Sequence, residues 1–192
     1  KRTFHQYDVV VRDLGAVDRE TIIEVFARIN STSYSLKAIE LHNARYDGAL
    51  KQFGESIADL EFFEIHRIFN SADVRRMNDL RFTLWICVTL LSSYFHRDDE
   101  LEVFLRQYND EFPYAEVFLE QIVTVMGFIE ECAFESQSRC WKKADLFTLI
   151  VELHRALIRD NLSLSAPEIA ERLNRFYTQV ESVDPSQPMS SE

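Results

Sequence analysis

Apolar positions recur along this chain at helical spacing for most of its length. From Asp18 onward, Ile22, Phe26 and Ile29 fall at i, i+4 and i+7 behind acidic residues, an order that the helix dipole favours. A helix over roughly 36–46 follows, and then a third with Leu50, Phe53, Ile57 and Leu60 on one face. After a short "FFEIHRIF" segment, the pattern predicts a central helix from about Val74 to Phe95. Asp98 or Asp99 is placed to cap the next helix, whose face is Leu101, Phe104, Leu105 and Tyr108. Pro113 suits the first turn of a long helix carrying Phe118, Ile122, Val125 and Ile129. Leu146, Leu149, Ile150, Leu153 and Leu157 mark the penultimate helix. Ser165 and Glu168 form the capping-box pattern of the last, ahead of Ile169, Leu173, Phe176 and Val180.

Two stretches depart from this period. "YDVVVRDLG" carries a β-branched run closed by Gly15 and predicts one short strand, which needs a partner from upstream sequence or another subunit. The tail "DPSQPMSSE" is polar and without period, and predicts disorder. The expected organisation is a strand and lead-in over 1–17, a helical domain over 18–182 and a disordered tail over 183–192. With no Met at its start, the chain reads as a fragment.

Composition agrees with this outline. The 192 residues include 15 Phe and 46% apolar types, enough for a sizeable core, while four Gly and four Pro are few for a fold of tight turns. The net charge of −11 repels phosphate as a whole, so nucleic acid or an anionic membrane surface would have to be met by local basic patches. The run from Phe82 to Phe95 holds 14 uncharged residues, whereas a membrane span needs about 20. No membrane partner is expected. Three cysteines without a CxxC pair fit a reducing compartment, hence a cytoplasmic setting.

Candidate chemistry is sparse. The five His residues are scattered and none has the i, i+4 spacing of a helical metal pair, so no metal site is expected. "HRDD" at His96 resembles the start of a kinase catalytic loop, but the Asn required five residues after Asp98 is Val103. Acidic pairs such as Glu130–Glu131 and Asp98–Asp99 are adjacent in sequence, do not face one another, and read as solvated surface. Two basic segments stand out on the acidic chain. "VRRMNDLR" contributes Arg75, Arg76 and Arg81, and "SRCWKK" contributes Arg139, Trp141, Lys142 and Lys143. They are candidate nucleic-acid contacts, through phosphate binding or base stacking. The favoured alternative is that these cations pair with the surplus carboxylates.

The densest polar cluster is "VFARINSTSYSLKAIELHNARYDG", residues 25–48, with Arg28, Asn30, Glu40 and Asn43 at one inter-helix joint. Arg28 can make forked bonds to a carboxylate or phosphate, and Asn30 tolerates a left-handed backbone at a helix end. This stretch resembles the signature of the GmrSD-type restriction and phage-defence family, FxRINSTG followed by ELRNAxYxG. The matching residues are Phe26, Arg28, Ile29, Asn30, Ser31, Thr32, Leu36, Glu40, Leu41, Asn43, Ala44, Tyr46 and Gly48. "RRMND", "YNDEFP" and "WKKADLFTLIVELHRAL" follow in the family's order, so the resemblance spans roughly Tyr7 to Tyr177.

The resemblance implies the helical part of a ParB/sulfiredoxin-like domain that carries a DGQQR motif and is associated with nucleotide hydrolysis and restriction of modified DNA. Many members add an HNH-type nuclease. Neither DGQQR nor an HNH-like arrangement occurs in these residues, and Ser33 replaces the family's glycine. The expectation is therefore a mainly α, multi-helix, bundle-like domain with one strand left over from the β-core. Arg28 and Asn30 would support catalysis by facing the DGQQR pocket, and Glu40 and Asn43 would brace the same junction. A nucleoside triphosphate and divalent metal are cofactors open to the parent protein, and none is expected in this segment. The implied partners are the β-core of the same protein, DNA, and a nuclease domain or a second copy. The alternative is a non-catalytic α-helical interaction or oligomerisation module whose acidic surface is the binding face. A free-standing enzyme is the weakest reading, because no nucleophile stands beside a base.

Overall fold

The computed structural model describes residues 13, 15–30, 38–92 and 97–182. The chain is mainly helical, with no strand among the described residues. The strand expected over Tyr7–Gly15 lies outside the described residues apart from Asp13 and Gly15, and so does the tail from residue 183. The chain divides into two units, Lys1–Lys37 and Ala38–Glu192.

The first unit contains helix α1 (Arg19–Asn30). It starts where the acidic cluster predicts, with Asp18 Oδ1 accepting from the Thr21 amide at 2.7 Å.

The second unit is a multi-helix domain. Its elements are α2 (Ala38–Arg45), α3 (Ala49–Ala58), α4 (Glu61–Ile65), α5 (Ser71–Arg75), α6 (Asn78–Leu91), α7 (Arg97–Gln107), α8 (Ala115–Glu131), α9 (Lys143–His154) and α10 (Ala166–Ser182). A 3-10 turn, Arg139–Trp141, leads into α9, and a π turn, Arg155–Arg159, extends it.

Helix α6 is the centre of the core. Leu80, Phe82, Thr83, Leu84, Ile86, Cys87 and Val88 are all buried, which explains why its apolar run shows so little polar alternation. Burial of each large side chain there contributes roughly 1.5–3 kcal/mol. Helix α3 crosses it closely at Gly54, where a Cβ would lie 2.6 Å from Leu84 Cδ2. The buried Thr83 hydroxyl seals that crossing by donating to the Gly54 carbonyl at 2.8 Å. Helix α9 packs beside α6, α8 packs against α9 and α3, and α10 closes over α8 through Ala166 and Ala170 against Cys132. No helix among the described residues is long and apolar enough to cross a membrane.

The central helix differs from the expected Val74–Phe95 at both ends. Asn70 accepts from the Asp73 amide at 3.0 Å, and Asp73 accepts from the Asn70 amide at 3.0 Å. That reciprocal capping box starts the separate short helix α5. The chain then breaks at Met77, whose φ of 53° is left-handed and ends any continuous helix. At the other end, Ser92 is extended, and both its amide and its hydroxyl donate to the Val88 carbonyl, at 2.9 and 2.8 Å. Asp98 and Asp99 lie within the first turn of α7, not ahead of it, and Pro113 precedes the Tyr114 N-cap of α8.

Cys87, Cys132 and Cys140 are free thiols inside this core. Burial pushes Cys87 up to about 12 and Cys132 and Cys140 up to about 11. None is a reactive nucleophile at neutral pH.

Candidate functional site

Arg28 and Asn30 occupy the last turn of α1, and their side chains lie outside the described residues. Glu40 and Asn43 sit on α2, three residues apart and both partly buried. The Glu40 carboxylate is only 12% exposed and lies 3.0 Å from Arg76 Nη1. This pair ties the "ELHNARYDG" segment to "RRMND".

A second tie follows from the break at Met77. Because the chain turns there, Asp73 faces inward, and its carboxylate meets Lys143 Nζ at 2.6 Å and the Asn78 amide group at 3.2 Å. These contacts and the Asn70 amide hold the Asp73 carboxyl below the usual carboxylate range, with Lys143 the largest cause. Asn78 of "RRMND" is thereby linked to Lys143 of "WKKAD" through Asp73, which lies two residues ahead of the motif.

A third tie is made by backbone alone. The Ala49 and Leu50 amides, at the start of α3, donate to the Asn109 and Tyr108 carbonyls at 2.8 and 3.1 Å. Gly48 lets the two segments approach this closely: a Cβ on it would lie 2.2 Å from the Asn109 carbonyl oxygen. "YDG" is thus joined to "YND". Nearby, Glu102 accepts from Arg45 at 2.6 Å and from the Tyr46 hydroxyl at 3.1 Å, adding a cross-link between α2 and α7.

The candidate nucleic-acid residues divide by environment. Arg75 is exposed, and Lys142 is exposed at the end of the 3-10 turn. Arg76 is bound to Glu40, Lys143 to Asp73, and Arg139 to Asp145 at 2.9 Å. The Arg81 guanidinium lies 4.1 Å from the Trp85 ring centroid. Trp141 stacks on His66 at 3.7 Å with an interplanar angle of 10°, and its indole N–H donates to the Glu135 carbonyl. One face of that ring is therefore occupied from within the domain. No group of three or more His, Cys, Asp or Glu side chains that could hold a metal is present among the described residues.

Asp73 and Asn109 are the functional-looking residues that motif reading passed over. The Asn70-x-x-Asp73 spacing was an available signal for the first. The second has no local signal, because its role is to receive Gly48 from a distant segment.

Two histidines make the domain pH-sensitive. Burial lowers the pKa of His66 below the usual 6.5, outweighing Glu130 at 3.8 Å, and burial together with Arg159 lowers that of His154. The unfolded chain, with ordinary imidazoles, then binds more protons than the folded one below pH 6.5. Stability is expected to be complete above that pH and to fall as pH drops from 6.5 toward the folded values. Urea midpoints measured at about pH 7.5 and about 5.5 check this, and the His66→Gln/His154→Gln double variant should narrow the difference. Equal midpoints in the unmodified protein would contradict it.

In comparisons with known proteins, no family model, no curated protein and no solved structure matches the chain.

Proposed function

We propose that this chain is the helical part of a GmrSD-type, DNA-directed defence protein. It serves there as a framework following the "FARIN" motif, whose Arg28 and Asn30 support catalysis, with nucleotide hydrolysis or nuclease chemistry carried mainly by a DGQQR-bearing segment of the same protein. One observation carries the reading. Within Ala38–Glu192 the four segments on which the resemblance rests are linked, "ELHNARYDG" to "RRMND" through Glu40–Arg76, "YDG" to "YND" through Gly48 against Asn109, and "RRMND" to "WKKAD" through Asp73, a residue outside the motifs that meets both Asn78 and Lys143. Segments that build one junction would be placed in this way. On this reading the exposed Arg75 and Lys142 meet DNA, whereas Arg76, Arg139 and Lys143 pair with Glu40, Asp145 and Asp73 within the domain.

The intact protein tests it. Replacing Arg28 and Asn30 together by Ala should abolish nucleotide-dependent activity and leave the circular dichroism spectrum unchanged; full activity in that variant would refute the assignment.

A second reading, a protein-interaction module without DNA contact, is favoured by the apolar surface of α4 and α8. Ile65, Val117 and Val123 are about half exposed, at 58%, 54% and 49%. A groove of about 350 Å3 runs between Leu60, Ile65, Val123 and Gly127. The two readings separate by salt. DNA affinity that falls steeply with salt, and that weakens in Arg75→Gln/Lys142→Gln, selects the first; no DNA affinity at low salt selects the second.

A further inference from the structure

A cavity lies between α6, α8 and the end of α9, away from the motif junction. Its volume is about 560 Å3, in the range of roughly 300–1,000 Å3 usual for small-molecule sites. Leu90, Phe118, Val151 and Ile158 give it an apolar lining. Polar groups converge on the same space. The Thr89 hydroxyl is buried with no hydrogen-bond partner, although a helical threonine ordinarily donates to the carbonyl one turn back. His154 Nε2 and Gln121 Oε1 face each other at 2.9 Å.

The cavity mouth is built by the π turn. Its i→i+5 bond, from the Asp160 amide to the Arg155 carbonyl at 2.8 Å, adds a residue to the turn. Arg155 and Arg159, four residues apart, then lie nearly one above the other, and both line the cavity. Their side chains are 56% and 62% exposed. Asp160 serves both, at 3.7 Å from Arg155 Nε and 3.0 Å from Arg159 Nε, and Glu152, also on the cavity wall, lies 3.9 Å from Arg155 Nη1. The guanidinium pair is therefore held in position by internal anions at its edge.

We propose that this cavity binds a small organic phosphate. The apolar body would lie on Phe118, Val151 and Ile158, the phosphate would take the guanidinium groups of Arg155 and Arg159, and the Thr89 hydroxyl would gain its missing partner. Forked donors match a phosphate or carboxylate in shape. Asp160, which meets both arginines, and Glu152, which meets Arg155, decide between them, because an incoming anion competes with these carboxylates for the same cations. A dianionic phosphate does so better than a monoanionic carboxylate. Neutral ligands gain nothing from the arginine pair, and inorganic phosphate gains nothing from the apolar lining.

Titration of the full chain with phenyl phosphate, followed by saturation-transfer NMR, tests the proposal. The comparators are benzoate, benzyl alcohol and inorganic phosphate. Phenyl phosphate should bind saturably with a Kd below about 1 mM, and each comparator should bind more weakly. Arg155→Gln/Arg159→Gln should weaken phenyl phosphate at least about tenfold. Asp160→Asn, which removes the internal competitor that meets both arginines, should tighten it about threefold. That gain cannot come from misfolding. The proposal is overturned by absent saturation, by a comparator binding as tightly as phenyl phosphate, by unchanged affinity in the double arginine variant, or by weaker binding in Asp160→Asn.

Discussion

Replacing Gly48 by alanine is expected to destabilise the helical domain by about 3 kcal/mol. The backbone conformation is not the reason: with φ −94° and ψ −178°, Gly48 is in a region open to any residue. The cause is contact. An added Cβ would lie 2.2 Å from the Asn109 carbonyl oxygen and 2.4 Å from its Cα, both backbone atoms that cannot rotate away. Relief requires moving the segment after α7 away from the start of α3, which breaks the Ala49 and Leu50 amide bonds to Asn109 and Tyr108. A melting temperature lower by roughly 6–12 °C is the corresponding readout. Gly127→Ala is the control, since its Cβ would meet nothing within 4 Å in the middle of α8. That change should raise stability by about 0.5–1 kcal/mol. Equal effects at the two glycines would show that helix propensity, not the close approach, governs both.

Asp73→Ala is expected to cost a similar amount, about 3 kcal/mol, for a different reason. Its carboxylate, 10% exposed, receives the Asn70 amide, the Asn78 amide group and the Lys143 ammonium. Truncation removes half of the capping box and leaves Lys143 beside an apolar methyl group. Guanidinium denaturation of Asp73→Ala should give a lower midpoint and an unchanged slope. The pH dependence runs in the acidic range. The folded carboxyl titrates below the usual 3.8, so its contribution is present above that pH and is lost as pH falls through the folded value. Wild type and Asp73→Ala should therefore converge in stability toward the most acidic conditions. A constant gap between them down to about pH 2 would exclude this account.

The parts of the fold that were legible in the sequence are those governed by periodicity. Ile57 on α3, Leu101 on α7, Ile122 on α8 and Ile150 on α9 are fully buried, as their helical spacing predicts. The break at Met77 was not legible, because Val74, Phe82 and Ile86 continue a helical pattern across it, and methionine rarely marks a left-handed turn. The π turn was hidden for a similar reason: Leu153, Leu157 and Ile158 keep an apolar rhythm through the inserted residue. The charged groups divide in the same way. Composition suggests that cations will find carboxylates, but only tertiary structure brings Glu40 to Arg76 across 36 residues. The cavity beside Phe118 has no sequence signature at all, since its walls come from three helices and its polar groups, Thr89, Gln121 and His154, share no motif.

The chemistry of the three thiols has a practical consequence. All of the cysteines in the chain are buried, with acidities far weaker than that of an ordinary exposed thiol. A maleimide dye at neutral pH would therefore leave the native chain essentially unmodified. A single cysteine introduced at an exposed position, such as Thr124 or Glu171, would become the one fast-labelling site without removal of the natural three. Distances between the helices and a bound partner could then be followed by fluorescence in an otherwise unaltered protein.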